Sequence, residues 1–226
     1  MAQMARMISE LNLMRRTVAL VLLASLFSMI GMGPSASAQT VNGRARFAGK
    51  CASCHGNSAE GNENIKAPPL SGQNAEYLIR QIENFRSGRR HAINENSPAT
   101  IMIAIAQTLT DDAEIRAIAN YLSKLPVKQS NVLNPSVNEQ GRLLFPVCIG
   151  CHSSKGEGNS ALGAPRIAGM PSWYLAGQLH AFKEGGRGTT ADDKYGRQMV
   201  SIADSLIEPG DFEAVAAYLS SLSMKK

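Results

Sequence analysis

Aromatic side chains are scarce in this sequence: one Trp, five Tyr and six Phe make up 5% of 226 residues. Two small domains of such composition would have thin cores, so something other than side chains is expected to help fill them. Basic tracts interleaved with aromatics are absent, which leaves a nucleic-acid partner without support. Beyond residue 39 no stretch alternates as a strand, so the chain reads as all-α. Cysteine is confined to four residues, and all four stand in two identical frames.

A long apolar run is also missing. A basic segment ending in Met14, Arg15 and Arg16 leads into apolar residues 17–32, shorter than the ~20 residues of a spanning helix. The small-residue pattern Ala36, Ser37, Ala38 follows. This is the form of a secretory signal peptide over residues 1–38, cleaved before Gln39, and it fits better than an uncleaved anchor. The mature chain is expected to begin near Gln39, outside the cytosol. Removing three arginines and Glu10 lowers the formal charge from +5 to +3.

The two frames are "CASCH" at 51–55 and "CIGCH" at 148–152, an offset of 97 residues. The same offset maps Pro68 onto Pro165, Gly72 onto Gly169, Tyr77 onto Tyr174, Gln81 onto Gln178, Phe85 onto Phe182 and Arg90 onto Arg187. Further on it maps Met102 onto Met199 and Tyr121 onto Tyr218. This reads as an internal duplication without a gap, with one domain over residues 39–125, a Pro-containing linker over 126–137 and a second domain over 138–226. Within each half, helical spacing predicts a helix over 74–87, with Leu78, Ile82 and Phe85 on one face. Another is predicted over 111–125, with Ile115, Ile118, Ala119, Leu122 and Leu125 inward and Asp111 with Glu114 as a capping pair. The second copy repeats the latter stripe as Phe212, Val215, Ala216, Leu219 and Leu222, with Pro209 near the first turn.

A dithiol redox motif requires only Cys-x-x-Cys and belongs beside a βαβ pattern, which this chain lacks. A four-cysteine zinc site would join pairs much farther apart than zinc-ribbon spacing. Neither explains a histidine directly after both pairs. Haem attachment does: Cys51 and Cys54, like Cys148 and Cys151, would bond the two vinyl groups of a haem, placing His55 or His152 under the iron. Two covalent haem c groups are therefore expected.

For the sixth iron ligand, His91 and His180 have no counterparts under the repeat and read as solvated side chains. Met102 and Met199 superpose. Core packing is the usual role of a methionine at helical spacing. Here, however, they form the one repeat-related methionine pair, follow their motifs and precede the last helix of each half by about two turns. They are the candidate axial sulfurs, and His/Met ligation raises a haem potential. Arg89, Arg90, Arg187 and Arg197 are candidates to neutralise haem propionates, with a solvated helix-end charge as the plainer reading.

The two halves resemble class I c-type cytochrome domains, and their tandem arrangement is similar to the dihaem cytochrome c4 family. The resemblance rests on both Cys-x-x-Cys-His motifs, on "PPLSGQNAEYLIRQIENFRSGRR" with "APRIAGMPSWYLAGQLHAFKEGGRG", and on "MIAIAQTLTDDAEIRAIANYL" with "MVSIADSLIEPGDFEAVAAYL". It implies a periplasmic, often membrane-associated protein that carries electrons from a quinol-oxidising complex towards a terminal oxidase. It also implies that the Pro68 and Pro165 carbonyls accept the proximal histidine N–H. The repeats depart from each other where Arg166, Ile167 and Ala168 replace Pro69, Leu70 and Ser71, which bears on whether the two haem surroundings are equal.

With both axial positions filled, each iron would exchange electrons without binding substrate, so an electron carrier is expected and not an enzyme. Its modest positive charge would steer docking onto an acidic partner surface, less so as salt rises. Two other roles remain open. A dihaem enzyme, such as a peroxidase or a thiosulfate-oxidising cytochrome, needs an open or unusual sixth site, against which the methionine pair argues. A cytochrome subunit of a dehydrogenase complex would differ from a free carrier in its partner alone.

Overall fold

The computed structural model describes Gln3 and residues 41–94, 97–128 and 138–223. All of these but Gln3 fall in the second of the two units of the chain, Val41–Lys226. The predicted leader apart from Gln3, and linker residues 129–137, lie outside the described residues.

In the first repeat, helices α1 (Gly43–Lys50), α2 (Ala52–His55), α3 (Ala75–Arg86), α4 (Ala99–Gln107) and α5 (Asp112–Lys124) follow one another, with a 3-10 turn at Glu63–Ile65. The second repeat runs α6 (Glu139–Leu144), α7 (Pro146–His152), a 3-10 turn at Ser160–Leu162, α8 (Ser172–Lys183), α9 (Lys194–Ser205) and α10 (Asp211–Ser221). Among the described residues there is no strand, only isolated bridges such as Asn62 with Ala67 and its copy Asn159 with Ala164.

The helices expected over 74–87 and 111–125 form with their ends trimmed. Asn74 caps α3 by accepting the Tyr77 N–H, and Asp111 caps α5 by accepting the Ala113 N–H. Glu114 does not complete a capping pair. It is buried and turned to Lys50, 3.1 Å away, with Arg46 at 3.6 Å. Pro209 stands outside the first turn of α10, ahead of its N-cap Gly210.

Each repeat is built on a close crossing of its first and last helices. A Cβ on Gly43 would lie 2.0 Å from the Ala117 carbonyl oxygen, and one on Gly141 would lie 2.0 Å from that of Ala214. Only glycine lets these backbones meet. The crossing is sealed by Phe47 against Tyr121 at 5.7 Å and by Phe145 against Tyr218 at 5.5 Å between ring centres. Ile115, Ile118, Ala119 and Leu122 line one core, and Phe212, Val215, Ala216 and Leu219 line the other.

These crossing residues also show where the duplication is not gapless. Phe47 stands four residues before Cys51, whereas Phe145 stands three before Cys148. In the first repeat α1 continues to Lys50; in the second, α6 stops at Leu144 and Pro146 opens a new helix that contains the whole motif. Proline is suited to that first helical position because its missing N–H is not needed there.

Candidate cofactor sites

The second motif lies wholly on α7, and in the first Cys51 caps the start of α2, which carries Cys54 and His55; positions i, i+3 and i+4 of such a turn share a face. One cavity is lined by Cys51, Cys54, His55, Pro68 and Met102, and a second by Cys148, Cys151, His152, Pro165 and Met199. The structure therefore gathers every predicted ligand of each half into one cavity. All four cysteines are free thiols. Burial pushes the Cys51 and Cys148 thiols up to about 11. Among the described residues no three His, Cys, Asp or Glu side chains converge as a metal site, and the two cysteine pairs serve different cavities.

The two motif histidines are held by backbone partners. His55 Nδ1 lies 2.8 Å from the Pro68 carbonyl, and His152 Nδ1 lies 2.8 Å from that of Pro165. A carbonyl can only accept, so Nδ1 carries the proton and Nε2 keeps a free lone pair. Burial lowers the pKa of both imidazoles against the opposing effect of that bond, so both rings are neutral at pH 7. The loop reaching each proline turns through Gly61 (φ 85°) or Gly158 (φ 87°), where an added Cβ would meet proline backbone at 2.6 Å.

The four candidate arginines separate into two groups. Arg89 is held by Asp192 at 2.7 Å and by Asn84 at 2.9 Å, and Arg197 is exposed and borders neither cavity. Arg90 and Arg187 are buried side by side, joined by a backbone bridge between the repeats. Arg90 donates to Gln81 Oε1 at 3.1 Å and Gln178 Oε1 at 2.6 Å. Arg187 mirrors it with Gln178 at 2.7 Å and Gln81 at 2.8 Å. Each guanidinium also stacks on a phenylalanine of its own repeat, Arg90 on Phe85 at 4.2 Å and Arg187 on Phe182 at 4.1 Å. Tyr77 lies against Tyr174 and Arg187, and Tyr174 against Arg90.

Burial, followed by the charge of Arg187, lowers the pKa of Arg90. Two buried like charges with neutral partners cost several kcal/mol unless an anion joins them. A haem supplies such anions in its propionates. Neutral histidines with free Nε2 atoms, paired thiols and these cations thus fit haem c. Arg166 is a further buried cation, bordering the second cavity, and its Nε has no partner. Burial lowers its pKa to about 10. His91 and His180 both border the first cavity. His91 is exposed, and His180 sits between Glu184 at 3.4 Å and Glu213 at 3.1 Å.

The family model for cytochrome c matches this chain twice, over residues 40–126 and 139–223. Cytochrome c4 of Azotobacter vinelandii is 31% identical over 216 residues, covering 90% of this chain and 98% of the relative. This chain belongs to the cytochrome c4 family. A relative from Stutzerimonas stutzeri named thiosulfate dehydrogenase electron acceptor is 32% identical over 187 residues, covering 78% of this chain and 80% of its own length. The crystal structure of reduced cytochrome c4 from Pseudomonas stutzeri superposes with a TM-score of 0.66 at 28% identity, covering 80% of this chain and 97% of that one.

Membership in the cytochrome c4 family makes the protein a dihaem electron carrier with two covalent haem c groups, and Cys51/Cys54 and Cys148/Cys151 fit its two attachment motifs. Sequence reasoning had the motifs, the prolines and the methionines, but not the roles of Tyr77, Gln81, Tyr174 and Gln178. These pairs share the 97-residue offset, which was the available signal. Arg166 stood out only as a departure from the repeat, opposite Pro69, without a role of its own.

Proposed function

We propose that each cytochrome c4 domain holds its iron between the motif histidine and the repeat-related methionine, His55 with Met102 and His152 with Met199. The observation that carries this is the convergence of each pair on one cavity. Haem c supplies a one-electron iron couple whose potential follows its axial ligands. The chain orients each imidazole through a proline carbonyl; Met102 and Met199 would each supply a neutral thioether to the iron, and Arg90 and Arg187 would supply cations to the propionates. With histidine and methionine both bound, neither iron would have a position left for substrate, which is the behaviour of a carrier.

Export by the leader over 1–38 would place it in the periplasm. There it takes electrons from a quinol-oxidising complex and delivers them towards a terminal oxidase, in keeping with the family resemblance. Among the described residues no helix is long and apolar enough to cross a membrane. A second reading concerns the donor alone. The similarity to a thiosulfate dehydrogenase electron acceptor supports a sulfur-oxidising enzyme as the source of electrons.

Carbon monoxide titration of the reduced dihaem protein, run beside thiosulfate and peroxide turnover assays, tests the carrier reading. Weak binding at both irons, negligible turnover and rapid electron delivery to an oxidase are expected. Stoichiometric binding at one iron with appreciable turnover would move the protein to the dihaem enzymes.

A further inference from the structure

The proximal histidines make equal bonds in the two repeats, but the peptides that accept them are not equal. In the second repeat the acceptor carbonyl of Pro165 belongs to the peptide that ends in the Arg166 N–H. That N–H donates to Gln73 Oε1 of the first repeat at 2.9 Å, and Gln73 Nε2 donates back to the Arg166 carbonyl at 2.9 Å. Gln73 is 4% exposed, and its Oε1 also accepts the Asn74 N–H at 2.9 Å. A continuous chain therefore runs from His152 Nδ1–H through the Pro165–Arg166 peptide to a side chain of the other domain.

The first repeat cannot make this chain, for two separate reasons. Pro68 is followed by Pro69, which has no N–H to donate. The counterpart of Gln73 is Met170, 3% exposed, whose thioether is a poor acceptor in any case. His55 thus stops at the Pro68 carbonyl.

Hydrogen bonds in series polarise one another: a peptide whose N–H is bonded presents a stronger acceptor at its carbonyl. A stronger acceptor on Nδ1–H raises the basicity of the imidazole and favours the ferric iron it would ligate. We infer that Gln73 is a positioning residue for the second haem, through which docking of the first domain tunes the proximal histidine His152 and makes the two haems unequal. The inference rests on His152 being the proximal ligand. Arg166 reinforces the docking by donating from Nη2 to the Ser71 carbonyl across the repeats at 3.1 Å, while Nη1 bonds the Ala168 carbonyl at 2.7 Å.

The test uses the full dihaem protein and follows both haem potentials by redox titration, with hydrogen exchange of the His55 and His152 ring N–H protons read by NMR in the reduced state. Gln73→Met copies the residue that the second repeat carries at this position. It should raise the potential of the second haem and speed exchange at His152, leaving the first haem and His55 unchanged. Arg166→Pro, which removes the N–H and keeps Gln73, should also speed exchange at His152. Arg166→Gln removes the cation, keeps the N–H and should leave that exchange rate as it is. Changes shared equally by both haems, or no change at His152 in Gln73→Met, would overturn the inference. A wild-type protein in which His55 is coordinated and His152 is not would overturn the ligand assignment itself and this inference with it.

Discussion

At the scale of the residue, the decisive feature is a buried polar group whose partner completes it from elsewhere. The proline carbonyls fix which nitrogen of each histidine is protonated, so the orientation of each imidazole follows from two backbone atoms. Arg90 and Arg187 show the same logic with charge. Their glutamine and phenylalanine neighbours satisfy hydrogen bonds and ring faces but leave two positive charges uncompensated. If they serve the propionates of both domains, Arg90→Gln should lower the potential of at least one haem, because losing a nearby cation favours the more positive iron. Redox titration would show this, and two unchanged potentials would return Arg90 to a packing role. Arg89 offers the contrast, since its charge is already met by Asp192 at the surface.

At the scale of the element, the crossing of first and last helices sets each haem domain. The glycines there are a close-approach requirement, so Gly43→Ala and Gly141→Ala should each force the helices apart. A cost of about 1–3 kcal/mol or more is expected from such overpacking. Gly49 supplies the control on the same helix, since nothing lies within 4 Å of an added Cβ. Gly49→Ala should be neutral or stabilising by at most roughly 0.5–1 kcal/mol, as a glycine removed from the last turn of α1. Denaturant unfolding of the holoprotein checks all three, and equal behaviour of Gly43→Ala and Gly49→Ala would contradict the crossing argument. The helices themselves were readable because apolar stripes such as Ile115, Ile118 and Leu122 depend on local period alone. The role of Glu114 was not readable. A carboxylate three residues after Asp111 suits a capping pair in sequence, but Lys50, 64 positions away, captures it in three dimensions.

At the scale of the whole molecule, the duplication carries most of the meaning. The offset of 97 residues made both motifs, both prolines and both methionines legible, because a repeated residue must serve a repeated site. What joins the repeats was not legible. Gln81, Gln178, Tyr77 and Tyr174 matched under the offset, yet their bonds run between copies, and periodicity within one copy says nothing of its docking on another. Gln73 was hidden further and Arg166 showed only as a departure from the repeat, since both work by breaking it. The central claim is that each of these two domains holds one iron between its histidine and its methionine. The most direct measurement is the long-wavelength methionine-to-iron charge-transfer band of the ferric dihaem protein, compared with Met102→Ala, Met199→Ala and the double variant. The account predicts that each single substitution removes the contribution of one haem and that the double variant has none. A band unchanged in the double variant would contradict it.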